Sequence, residues 1–261
     1  MKVALRVGMR GNDPVNPLDG ALRDVKAMGY DGIELMLNTS YNVSPQGSHG
    51  GWSSEDVTPK MRESILESCK KHGVEIATLS ADWAWGYARF NPKLSQWARG
   101  VELLKADVNL AGDLGAKVIL IHVGTSKGSW AEIKKIVEEV VEVGAKRQVK
   151  IAFEAGIFAQ IGLGALDALI KLVDEINNPW LGVYEHCYWP RGTQQPHEEV
   201  ADVGQRIMCL HSSVLNIQVD YPKMIQALKD VGYDYYWVFE VPWEQGQPSI
   251  DGYKYLYGPK K

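Results

Sequence analysis

The chain has 261 residues, a formal charge of −4, 45% hydrophobic residues and 23% charged residues. That balance excludes a disordered chain, a collagen-like repeat and a coiled coil, and its mild acidity argues against a nucleic-acid-binding surface. No apolar run approaches the roughly 18 residues that a membrane span needs. Arg6 and Arg10 break the apolar start, so no secretory leader is read there. The cysteines Cys69, Cys187 and Cys209 are too few and too scattered for a disulfide framework or a zinc ribbon, and a reducing cytoplasm is the expected location.

Along the chain the apolar period switches repeatedly between that of a strand and that of a helix. Val3–Gly8 reads as a strand and Asp19–Met28 as a helix stopped by Gly29. Gly32–Leu37 is a second strand, followed by a helix over Val57–His72 with Gly73 as its stop. Val74–Ser80, Lys117–Val123, Val149–Ala155 and Leu181–Cys187 are the next four strands. Between and after them, helices are expected over Leu94–Leu114 (closed by Gly115), Trp130–Val143 (followed by Gly144), Leu163–Ile176 and His197–Val203. Arg206–His211 is a seventh strand, and Asp220-Tyr221-Pro222 starts a helix that runs to Val231. Tyr235–Val241 is the eighth strand. Eight such units, about 30 residues apart, predict an α/β fold: one closed (β/α)8 barrel over residues 1–261. A doubly wound open sheet would want a Gly-rich phosphate turn after the first strand, and GMRGNDP is not one. The tail from 242 to 261 holds three prolines and three glycines, so an irregular ending with a reduced last helix is expected. That would leave Trp237 and Phe239 for a partner to cover, and a homodimer is expected on this ground.

In this fold the site is built at the C-terminal strand ends. The strands carry or end at Glu34, His122, Glu154, Glu185-His186, His211 and Glu240, and the third runs into Asp82, Trp83 and Trp85. Strand alternation sets Ile151 and Phe153 opposite Glu154, Met208 and Leu210 opposite His211, and Trp237 and Phe239 opposite Glu240. The large apolar residues belong under the helices, so Glu154, His211 and Glu240 point inward. Two carboxylates and an imidazole at one rim suit a divalent metal, although any one of them alone would more often be a hydrogen-bonded structural residue.

MGYDGIEL (28–35), LGAKVILIHVG (114–124), IAFEAG (151–156), RIMCLHSS (206–213) and ALKDVGYDYYWVFEVP (227–242) stand in the order and spacing of a known family. The chain resembles the xylose isomerase-like TIM barrels, the sugar isomerase and epimerase group that includes D-tagatose 3-epimerase-like proteins. The resemblance implies four metal ligands from strands five to eight, usually Glu, Asp, His and Glu, of which Glu154, His211 and Glu240 match three. It also implies that the two glutamates exchange protons with a keto-sugar or polyol through a metal-stabilised enediolate. At strand six the register places the Asp position on His186 and a later His on Trp189; Glu185 is the competing ligand, and only one of the two neighbours can face inward. The implied cofactor is one divalent ion, Mn2+ first, with Co2+, Mg2+ or Zn2+ as alternatives.

Further departures bear on the substrate. The sugar-gripping Arg after strand seven is replaced by Ile217, and the extra acid after strand five falls near Gln160. The substrate-side candidates are His122, Trp83, Trp85, Trp189, Arg6 and Glu34, each with a bland alternative: aromatic cavity wall, backbone-bonded histidine, or an Arg6–Glu34 ion pair. A lyase or dehydratase on a keto-sugar shares the first proton transfer, and a non-catalytic sugar-binding subunit is the other class. The endonuclease branch of the fold, with its three-metal cluster, fits poorly, since Trp189 stands at a ligand position and no Asp-x-His follows strand seven. The expected partner is therefore a small carbohydrate, with neither nucleic acid nor membrane.

Overall fold

The computed structural model describes residues 1–9, 15–37, 54–80, 97–122, 129–154, 165–187, 194–213 and 215–257. Eight parallel strands close on themselves: β1 (Lys2–Gly8), β2 (Gly32–Met36), β3 (Glu75–Ser80), β4 (Val118–His122), β5 (Lys150–Glu154), β6 (Leu181–His186), β7 (Ile207–Ser212) and β8 (Tyr236–Phe239), with β8 pairing back onto β1. The helices are α1 (Val15–Met28), α2 (Pro59–His72), α3 (Trp97–Asp113), α4 (Trp130–Arg147), α5 (Ala165–Ile176), α6 (Pro196–Val203), α7 (Tyr221–Asp230) and α8 (Gly246–Tyr257). This is the (β/α)8 barrel that the alternating pattern predicts.

Strand alternation divides the apolar residues into two layers. Leu5, Ile33, Leu35, Ile119, Phe153, Trp237 and Phe239 join the helices in one cluster outside the sheet. A second cluster draws its fully buried members from strands alone: Ala4, Ala77, Val118, Leu120, Ala152, Tyr184, Cys209, Tyr236 and Val238. It fills the barrel interior and forms the floor on which the polar residues at the C-terminal strand ends stand.

The helix boundaries follow local chemistry. Thr58 caps α2 by accepting from the Met61 amide, Ser129 and Glu132 form a reciprocal capping box at α4, and Asp220 accepts from the Lys223 amide ahead of Pro222 in α7. Gly29, Gly73 and Gly115 have φ of 97°, 63° and 76° at helix ends, as stops require. Gly144 differs from its expected role. The helix α4 runs through it to Arg147, because a Cβ there would lie 2.6 Å from the Val149 carbonyl oxygen; it is a close-approach glycine rather than a terminator.

The tail also differs from expectation. Residues 246–257 form α8, longer than α6 or α7. Pro248 falls in its first turn, where no backbone donor is needed, and Gly252 sits where a Cβ would come within 2.4 Å of Leu215. Tyr253 and Tyr257 pack on Trp237 at 5.6 Å between ring centroids, and Tyr253 packs edge-on against Phe239. Trp237 and Phe239 are fully buried within the chain, so the apolar face on which the homodimer expectation rested does not exist. Among the described residues no helix is long and apolar enough to cross a membrane.

Candidate metal centre at the C-terminal rim

Above the apolar floor, the strands project a polar layer. Glu154 from β5, His186 from β6 and His211 from β7 each offer a ligand atom within 4.8 Å of the others. The Nε2 of His186 lies against Oε1 of Glu154. The Nδ1 of His211 is buried without a hydrogen-bond partner among the described residues, 4.0 Å from Oε2 of Glu154 and 3.6 Å from Oε2 of Glu240. Glu240 follows β8, and its other oxygen contacts Nη1 of Arg6.

Strand six resolves as its alternation dictates. Tyr184 belongs to the interior cluster and Val183 to the outer one, so His186 shares the inner face and Glu185 the outer. His186 pairs in register with His211, their rings 5.6 Å apart. On β7 the expected alternation is broken: Tyr184 aligns with Cys209 while Val183 aligns with Ile207, so Met208 is an extra residue. Met208 was expected to face the helices, yet it packs against the interior cluster. Leu210 faces outward and His211 inward, as expected.

Beneath the open rim lies Glu34, which has no accessible surface. Its Oε1 is 2.9 Å from Nε2 of His211 and 3.1 Å from Nε of Arg6, and its Oε2 accepts from the hydroxyls of Tyr184 at 2.7 Å and Thr78 at 2.8 Å. Burial alone would push this carboxyl up, but His211, Arg6 and the Tyr184 hydroxyl outweigh it and hold it down to about 2. Arg6 forms the ion pair weighed in the sequence reading, and its Nη2 also donates to Ser80 Oγ at 3.1 Å. Burial raises the Tyr184 hydroxyl well above its usual range, with Cys209 and Glu34 beside it, and pushes the Cys209 thiol up to about 12, so both are neutral donors rather than charges.

The donor chemistry fits a divalent cation. The described groups of this layer gather three carboxylates, Glu34, Glu154 and Glu240, beside one guanidinium and two imidazoles. Two nitrogen and two oxygen donors, from His186, His211, Glu154 and Glu240, are a common set for such an ion. An orphaned imidazole nitrogen aimed at two carboxylates is the geometry that a shared cation would satisfy.

His122 ends β4 in register with Glu154; its side chain, together with Trp83, Trp85 and Trp189, lies outside the described residues. Tyr184, Thr78 and Ser80 were missed by the sequence reading. Inward parity with His186 could have flagged Tyr184. Thr78 turns inward only because β3 carries an extra residue, Ala77, against β2. A groove of about 670 Å³ runs beside the centre from Arg6 and Glu240, walled by Gly20, Met36 and the partly exposed Trp243.

Fold and site together define a (β/α)8 barrel with an acid and histidine cluster at its C-terminal rim. The chain belongs to the xylose isomerase-like TIM barrel family, whose model matches residues 22–257. Among solved structures it is similar to D-psicose 3-epimerase from Clostridium cellulolyticum H10, determined with D-tagatose (TM-score 0.74, 12% identity, 98% of this chain and 99% of that one). It is also similar to 3-keto-D-glucoside 4-epimerase from E. coli (TM-score 0.70, 14% identity, 98% and 99%). By sequence it is 31% identical over 171 residues to a probable endonuclease 4 of a Geobacillus species, covering 62% of this chain and 54% of that one. A second probable endonuclease 4, from Thermotoga neapolitana, is 25% identical over 60% of this chain and 56% of its own. The chain thus spans about half the length of these curated relatives.

Proposed function

We propose that the protein is a metal-dependent isomerase or epimerase acting on a keto-sugar or related polyol. The observation that carries this reading is the orphaned Nδ1 of His211 facing Glu154 and Glu240, two carboxylates reaching it from strands on either side of β7. Glu154, His186, His211 and Glu240 would hold the cation, Mn2+ or another ion tolerant of nitrogen ligands. Bound there, it would supply Lewis acidity that polarises a carbonyl and its neighbouring hydroxyl. Glu154 would take a proton from the carbon beside the carbonyl and Glu240 would return one, each as a general acid–base. Arg6, paired with Glu34 and Glu240, would orient the second carboxylate. The epimerase neighbours support the substrate class, and a keto-sugar dehydratase would share the first proton transfer.

The endonuclease relatives favour a second reading, hydrolysis of a phosphodiester. The formal charge of −4 speaks against a phosphate-backbone surface. The test is metal analysis of the purified protein, followed by incubation of candidate keto-sugars in deuterated buffer and of duplex DNA with the same preparation. Metal-dependent entry of deuterium beside a carbonyl is the expected result. DNA cleavage without exchange would overturn the proposal.

A further inference from the structure

Glu34 has no accessible surface, yet it is held by groups from four strands. The hydroxyls of Thr78 from β3 and Tyr184 from β6 donate to it, Arg6 from β1 pairs with it, and His211 from β7 lies at 2.9 Å. A surface ion pair has no need of such an investment, and a burial site for an incidental carboxylate would lack it.

The geometry gives the network a direction. Oε1 of Glu34 lies 2.9 Å from Nε2 of His211, so that ring nitrogen is taken by the carboxylate. Nδ1 is left pointing at Glu154 and Glu240, without a hydrogen bond among the described residues. The second reach of Glu34 runs through Arg6. One guanidinium nitrogen sits on Glu34 and another on Glu240, while the third is pinned by Ser80. The Thr78 and Tyr184 hydroxyls both donate to the other Glu34 oxygen, so that oxygen stays held when either one is removed.

We propose that Glu34 is the positioning residue of the metal centre: it fixes His211 with Nδ1 toward the cation and, through Arg6, sets the carboxylate of Glu240. The inference rests on the metal reading above and deepens it. Carboxylate partners of ligating imidazoles orient the ring and raise its basicity, and losing one commonly weakens metal binding about 10–100-fold.

The experiment uses the full chain loaded with 113Cd2+, with 15N-labelled histidine, followed by NMR and by competition with a chelator. The expected spectrum shows cadmium coupled to Nδ1 of His211 and a slowly exchanging proton on Nε2. Glu34→Gln should weaken cadmium binding about 10–100-fold, whereas Tyr184→Phe, which leaves the His211 contact in place, should preserve both the Nε2 proton and most of the affinity. Cadmium on Nε2, an unprotonated Nε2, unchanged affinity in Glu34→Gln, or an equal loss in Tyr184→Phe would each overturn the inference while leaving the metal reading standing. Failure of the wild-type chain to take up cadmium would instead remove that reading and this inference with it. Should Glu34→Gln not fold, the wild-type spectrum alone decides between the two nitrogens.

Discussion

Both ends of this barrel are ringed with ionisable side chains, but they solve different problems. At the N-terminal end Glu75 receives Lys2 at 2.7 Å and the Tyr236 hydroxyl at 2.6 Å. Nearby, Tyr235 donates to the Ala77 carbonyl and Tyr233 to that of Tyr236. Glu75 is matched by a base, and its side chain is 61% exposed. At the C-terminal end Glu34, Glu154 and His211 are almost wholly buried, and Nδ1 of His211 has no hydrogen-bond partner among the described residues. Balanced, wet pairs close a barrel, whereas buried acids gathered beside imidazoles from neighbouring strands offer ligand atoms, and that difference marks the candidate working end.

The sharpest way to break that contrast is to remove the gathered ligand groups. His211→Ala and His186→Ala should each lower affinity for a divalent ion by about a hundredfold or more, read by chelator competition. Glu154→Gln and Glu240→Gln should cut turnover about 10²–10⁴-fold even with metal restored in excess, since each is also asked to move a proton. Glu185→Gln, on the outer face of the same strand, should leave metal content unchanged. Loss of metal in Glu185→Gln with retention in His186→Ala would mean that strand six presents its other face.

A core substitution should do the reverse. Trp237 is fully buried between β8 and the Tyr253 and Tyr257 rings of α8. Trp237→Ala should cost about 3–5 kcal/mol by denaturant titration, with metal affinity of the folded fraction preserved. A smaller step is the metal itself. Saturation at about 100 times its dissociation constant should add about 2.7 kcal/mol to stability, a gain that chelator abolishes. Protons compete for the imidazole lone pairs, so this gain should shrink on acidification.

What the sequence shows and what it hides follow from the range of each interaction. Alternation is local, and it placed Ile151, Phe153 and Leu210 outward and Glu154, His211 and Glu240 inward. The added residues Ala77 and Met208 are register events between strands and leave no mark in composition, so Thr78 was missed and Met208 was assigned to the wrong face. The Glu34 network joins residues 150 and 177 positions apart, beyond any local pattern. In the tail, Pro248 and Gly252 read as breakers by number, whereas their positions, a first helical turn and a packing contact, are compatible with α8.

The weakest effect belongs to the balanced end. Lys2 and the Tyr236 hydroxyl lower the Glu75 carboxyl below its ordinary value, against a small opposing effect of burial. A carboxyl lowered on folding stabilises the protein above its unfolded pKa, and the gain is lost as pH falls through the folded value. Because Glu75 and Lys2 are both more than half exposed, water and salt screen the pair, and the contribution should stay below about 1 kcal/mol. Glu75→Gln should therefore lower the urea midpoint slightly at pH 7, less in high salt, and not at all in acid where the wild-type carboxyl is itself protonated. Metal affinity should not change. A large loss of metal on this substitution would show that the two ends of the barrel are coupled through the interior layer of Tyr236, Ala77 and Tyr184, and the contrast drawn between them would fail.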